Sequence, residues 1–106
     1  MTTRDYIEWA PFRVRSGVSE AQLLASSAAL QEQFVARQAG FRTRELLRSA
    51  DGQWVDLVRW DSREAAETAM AAVGTSAACQ AYFALLEPSD APAGGVVLFE
   101  PVAVYA

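Results

Sequence analysis

Histidine, lysine and asparagine are absent from this sequence, and cysteine occurs once, as Cys79. Without an imidazole there is no Ser-His or Cys-His nucleophilic pair, and without histidine or clustered cysteines there is no zinc cage. No Asp-x-Asp cluster offers a calcium loop. A lone cysteine excludes an internal disulfide and suits a reducing compartment. Cys79 lies in an alanine-rich stretch with no cation near it in sequence, so it reads as a small buried hydrophobe. Gly94 and Gly95 stand together without the spaced glycines or following lysine of a phosphate loop. No apolar run approaches the ~20 residues of a membrane span. The polar opening Met1-Thr2-Thr3-Arg4-Asp5 leads into no signal-peptide core, so a cytoplasmic protein is expected. Neither a metal nor an organic cofactor is expected.

All nine cations are arginines, set among thirteen carboxylates for a formal charge of −4. They form no basic stripe, and the net field repels phosphate, which argues against nucleic acid as a partner. A chain of 106 residues suits a single domain over its whole length. A domain of this size buries roughly 60 to 70% of its unfolded surface, so its core is thin. Yet apolar residues make up 52% of the chain. A subunit interface is the simplest outlet for the excess.

Tyr6 to Arg15 is rich in aromatic and β-branched residues and is closed by Ser16-Gly17, which predicts a first strand. Ser19 stands three residues before Gln22, the spacing of a capping box. Leu23, Ser27, Leu30 and Phe34 then recur at helical spacing up to Gly40. Phe41 to Ser49 and Gln53 to Trp60 predict two strands joined by a hairpin at Ala50-Asp51-Gly52. Asp61 or Ser62 caps a second helix, with Glu64 placed to complete the cap from Asp61. Ala66, Ala69, Met70 and Val73 form its apolar stripe before Gly74, and a shorter helical piece runs from Ser76 to Leu86. Ser89 to Gly95 reads as a loop and Val96 to Val104 as a last strand. The order β-α-β-β-α-β predicts a ferredoxin-like α+β fold: a four-stranded antiparallel sheet with its helices on one face.

The strands do not alternate cleanly between apolar and polar. Ile7, Trp9 and Pro11 compete with Tyr6, Ala10 and Phe12, and Val55 and Leu57 with Trp54, Val58 and Trp60. Strands apolar on both faces are covered on both faces. Helices cover one; a second copy of the chain, sheet against sheet, is the natural cover for the other.

Two stretches resemble a known family. Gln38-Ala39-Gly40-Phe41 is similar to a Pro-Gly-Phe-type helix-to-strand turn, with Ala39 where proline is frequent. Asp51-Gly52-Gln53-Trp54 through Trp60-Asp61-Ser62-Arg63-Glu64-Ala65 resembles a hairpin, a tryptophan-ended strand and a capped helix. Both are similar to the antibiotic biosynthesis monooxygenases, dimeric α+β-barrel proteins. The resemblance implies a homodimer with facing sheets and a small apolar pocket between sheet and helices, open to an aromatic or polyketide-like compound. It does not imply one reaction, because the superfamily spans cofactor-independent oxygenases, haem-degrading enzymes, cyclases, isomerases and members without assigned activity. The haem-degrading branch uses a histidine, and the oxygenases are associated with an Asn, Trp and Tyr set. This chain has neither histidine nor asparagine, so only Trp60 carries over, as a candidate for the pocket wall.

Two acids fall inside predicted strands. Glu8 and Asp56 lie mid-strand on the two strands that this topology makes central neighbours. If both face an apolar pocket, desolvation and mutual repulsion would raise at least one pKa and make a catalytic base. The competing reading pairs them with Arg44 and Arg59 in a buried network that sets strand register. Trp9, Phe34, Trp60, Tyr82 and Phe83 are candidates to line the pocket, with the Tyr82 hydroxyl as a polar handle; plain core packing is the alternative for each. Arg42, Arg44 and Arg48 alternate along the second strand and suggest a solvated sheet edge.

Overall fold

A computed structural model describes residues 5–106; the expectation about Met1 to Arg4 lies outside the described residues. The chain runs β1 (Tyr6–Phe12), α1 (Glu20–Gln33), β2 (Phe41–Arg48), β3 (Trp54–Trp60), α2 (Arg63–Ala72), α3 (Ala77–Phe83) and β4 (Val97–Phe99). The strands form one antiparallel sheet in the order β2-β3-β1-β4, the ferredoxin-like arrangement the element order predicts.

Local chemistry sets most boundaries. Ser19 accepts from the Gln22 amide at 3.1 Å while the Gln22 side chain accepts from the Ser19 amide at 2.8 Å, which closes the capping box of α1. Gly40 leads into β2 at φ +82°, and a Cβ there would sit 2.6 Å from that of Ala65 and run into the Asp61 carboxylate. Only glycine fits that crossing. The β2–β3 hairpin closes through Ser49 N to Gln53 O at 2.8 Å, with Gly52 at φ +88°. Ser62, not Asp61, caps α2, accepting from the Ala65 amide at 3.0 Å.

The first and last predicted strands both shorten. β1 ends at Phe12, and beyond it only Val14 bridges, to Leu86. β4 keeps three residues, pairing Ile7 with Phe99, Glu8 with Leu98 and Trp9 with Val97. Continuing that register would set Pro11 against Gly95 at one end and Asp5 against Pro101 at the other. Neither proline carries an N–H, so the ladder has nothing to extend with. From Glu100 to Ala106 the chain has no regular structure.

Register decides what each face carries. Ala10 pairs with Asp56 and Glu8 with Val58 on β1–β3, and Arg44 pairs with Val58 on β2–β3. Since side chains alternate, Glu8, Ala10, Phe12, Asp56, Val58, Trp60 and Arg44 share the inner, helix-covered face. Ile7, Trp9, Leu57, Arg59, Leu47, Val97 and Phe99 share the outer face. Among the described residues no helix covers that side. Trp9 is 38% exposed and Phe99 50% exposed there. Arg59 therefore cannot neutralise either acid.

Two hydrophobic clusters fill the helix side. One joins Leu23, Leu30, Phe34, Val35, Cys79 and Tyr82, with Phe12 and Trp54 packed against it. The other joins Val58, Trp60, Ala66 and Ala69, with Tyr6, Phe41 and Leu98. Ser27 is the polar member of the buried face of α1.

Candidate active site

Between the clusters lies a cavity of about 990 Å³. Its walls come from the inner sheet face, from Leu30 and Phe34 at the end of α1, from Ala69 and Met70 of α2, and from the segment after α3. Glu8, Asp56, Phe34, Trp60, Tyr82 and Phe83 all line it. Trp9 does not join them. As an odd-numbered residue of β1 it projects from the opposite face, and mixed alternation in the sequence hid that parity.

The two acids stand in different surroundings. Asp56 has both oxygens engaged: Arg44 donates from Nε to Oδ1 at 2.8 Å and from Nη2 to Oδ2 at 3.1 Å, and the Tyr82 hydroxyl donates to Oδ2 at 3.1 Å. Arg44 also donates to the Ser27 carbonyl at 3.1 Å and hydroxyl at 2.9 Å, and lies 5.6 Å from the centre of the Tyr82 ring. This pair is buried, at 6% and 11% side-chain exposure. Burial opposes the charge on Arg44, but the bond and the charge of Asp56 outweigh it and raise the guanidinium pKa above its ordinary value. Asp56 is thus a fixed counter-ion with no oxygen to spare. Arg44 is no solvated edge residue, although its neighbour Arg42 is half exposed and pairs with Asp5 at 2.9 Å.

Among the described residues Glu8 accepts one side-chain hydrogen bond, from Trp60 Nε1 to Oε1 at 3.1 Å. Burial raises its pKa above 4.5, the Trp60 bond works against the rise, and Asp56 adds to it. A cavity-facing carboxyl with one oxygen uncommitted and a raised pKa is placed to take and return a proton.

The aromatic side chains divide similarly. Trp60, 2% exposed, packs edge-on to Phe41 with centroids 6.0 Å apart, and it presents its N–H to Glu8 rather than a broad face to the cavity. Tyr82, 1% exposed, spends its hydroxyl proton on Asp56, so it is not a free polar handle. Burial first, and the charge of Asp56 second, raise its pKa. Phe83 is half exposed and Phe34 buried, together bounding the apolar wall. Cys79 is fully buried, and that burial raises its thiol pKa.

Sequence reasoning missed Ser27 and Ala10 as members of the site. Ser27 had a signal: it is the one polar residue on the apolar stripe of α1, a place that requires a partner. Ala10 had none, since a small residue in a strand is unremarkable until its register is known.

Among the described residues no helix is long and apolar enough to cross a membrane, and no three potential ligands gather into a metal site.

No family model and no curated protein matches this sequence. Solved structures do. SnoaB, a cofactor-independent oxygenase from Streptomyces nogalater, is 23% identical with a TM-score of 0.68, covering 97% of this chain and 96% of its own. The monooxygenase ActVA-Orf6 of Streptomyces coelicolor, solved in complex with nanaomycin D, is 20% identical with a TM-score of 0.69 over 98% and 93% of the two chains. A Bordetella bronchiseptica protein provisionally named an antibiotic biosynthesis monooxygenase is 17% identical with a TM-score of 0.71 over 96% and 99%. At these identities the likeness is one of fold. The chain is an α+β protein with the ferredoxin-like fold of the antibiotic biosynthesis monooxygenases, in agreement with the resemblance carried by its hairpin and capped-helix junction.

Proposed function

We infer that the chain is a small-molecule enzyme acting on an aromatic or polyketide-like compound, by cofactor-independent oxygenation with Glu8 as base. The observation that carries this reading is the Glu8 carboxyl: partly buried, held by a single indole N–H, and set in the wall of an apolar cavity. A sealed core around Trp60 would have favoured a purely ligand-binding role; a cavity with a carboxyl in its wall favours chemistry. SnoaB and ActVA-Orf6, which share the fold, are named as oxygenases.

In the proposed reaction Glu8 removes a proton from an activated ring CH₂, as in an anthrone. The carbanion reduces dioxygen and forms a C–O bond, giving a peroxide. The proton held on Glu8 returns to the peroxide, which loses water to leave a carbonyl. CH₂ plus O₂ thus becomes C=O plus H₂O, with the substrate as the source of electrons. Phe34 and Phe83 bound the ring, while Trp60 orients the base.

The same reading includes a homodimer. Trp9, Leu47, Val97 and Phe99 form an exposed apolar sheet face, and a second copy set face to face would cover it. Isomerase- or cyclase-like proton chemistry would use the same base without oxygen.

Oxygen uptake with a panel of anthrones and hydroquinones tests the proposal. Uptake by the wild type and its loss in Glu8→Gln is expected. No uptake above background by the wild type sinks the oxygenase reading, and product formation without uptake turns it towards proton chemistry. Unchanged uptake in Glu8→Gln sinks the assignment of the base.

A further inference from the structure

The inner face of the sheet is covered by two hydrophobic clusters instead of one, and Ala10 belongs to neither. It lies mid-way along β1 between Glu8 and Phe12, directly opposite Asp56, and lines the cavity. Of the inward side chains on the two central strands, Ala10 alone ends at Cβ. The others are aromatic, branched or charged. The gap between the clusters therefore has its floor at this residue.

Its surroundings are rigid. On one side Phe12 stacks on Trp54, with centroids 6.2 Å apart, and meets Tyr82 edge-on at 6.1 Å. On the other, Glu8 is tied to Trp60, itself wedged against Phe41. Across the strand, Asp56 is pinned by Arg44 and Tyr82. None of these groups can move into the space above Ala10 without breaking a stacking contact or a buried hydrogen bond. The cavity, about 990 Å³ with Glu8, Ala10 and Phe12 in its wall, has room for a flat frame of fused rings, larger than a single ring needs.

We propose that Ala10 is the specificity-determining residue of the cavity. The missing side chain seats the middle ring of a fused three-ring aromatic compound, placing one edge of it beside Glu8 and the other against Phe12. The proposal rests on the pocket described above but not on oxygen chemistry.

Binding of aromatic probes in deoxygenated buffer tests it, through quenching of the intrinsic tryptophan fluorescence. Catechol, 1-naphthol and 1,8-dihydroxyanthraquinone provide one, two and three rings. In the wild type, affinity should climb with ring number. Ala10→Val and Ala10→Leu add two and three carbons to the floor, and valine is at home in a strand. The ratio of three-ring to one-ring affinity should fall in that order, by about tenfold or more for the leucine variant. Thermal melts of both variants establish that they are folded. A wild type that ignores ring number or fails to bind the three-ring probe overturns the proposal. So does an unchanged ratio in folded Ala10→Leu. Ring-number dependence without any oxygen uptake leaves Ala10 in place and removes only the oxygenase reading.

Discussion

Removing the carboxylate of Asp56 should come close to unfolding the protein. In Asp56→Ala the Arg44 guanidinium, 6% exposed, loses both bonds to its counter-ion and keeps only the uncharged Ser27 acceptors. Stranding a buried charge in this way costs about 3–5 kcal/mol. The Tyr82 hydroxyl loses its acceptor as well and adds about 1 kcal/mol or more. A domain of this length has roughly 5–15 kcal/mol to lose. At about 4–8 °C per kcal/mol, the melting temperature should drop on the order of 15–50 °C. The assay is urea unfolding followed by tryptophan fluorescence, at one fixed protein concentration because association would add to apparent stability. The triple change Arg44→Met, Asp56→Leu and Tyr82→Phe removes both charges and the Tyr82 hydroxyl together, leaving only the uncharged Ser27 acceptors without their donor. It should return stability to within about 2 kcal/mol of wild type. A loss below about 1 kcal/mol for Asp56→Ala, the worth of a solvated surface pair, would refute the reasoning. The carboxylate would then not be the tie between α1, β2, β3 and α3.

Three other perturbations probe the site and the outer face. Burial raises the Glu8 pKa above 4.5, so the folded state holds that proton more tightly than the unfolded chain. Wild-type stability should fall as pH rises from 4.5 to the folded value and level off beyond it; melts across that window should show Glu8→Gln gaining on wild type, and a pH-independent difference would count against a buried Glu8. Trp60→Phe removes the hydrogen bond that lowers the Glu8 pKa, so the acid limb of the uptake rate should move to higher pH, at a stability cost of about 1 kcal/mol; an acid limb that stays put would separate Trp60 from the base. Trp9→Glu and Phe99→Glu place charge on the exposed apolar face, and light scattering should show a dimer becoming monomer. A wild type that is itself a stable monomer in dilute buffer would remove the face-to-face dimer.

Much of the architecture was legible because it is written in short-range chemistry. The Ser19–Gln22 capping box, the Asp51-Gly52 turn and the glycine at position 40 each act within a few residues, or through a φ that other residues resist. Periodicity then supplied α1 and the order of elements. The last strand was less legible. Val96 to Val104 has strand composition throughout, yet pairing is confined to Val97–Phe99, with Pro11 facing the position before it and Pro101 following it, residues far apart in sequence.

For the site, the sequence by itself determined the chemistry on offer: two carboxylates on central strands, arginine as the only cation, aromatic residues, and neither histidine nor asparagine. Only the tertiary structure decided which of these does what. Glu8, Asp56 and Trp9 had interchangeable claims while both sheet faces read as apolar, since alternation assigns a face only when one face is polar. Register put the two acids inside and Trp9 outside. Strand pairing brought Arg44 onto Asp56 and Trp60 onto Glu8, and packing of α3 added Tyr82, because hydrogen bonds between residues 12 to 52 positions apart exist only once the strands pair and α3 closes over them.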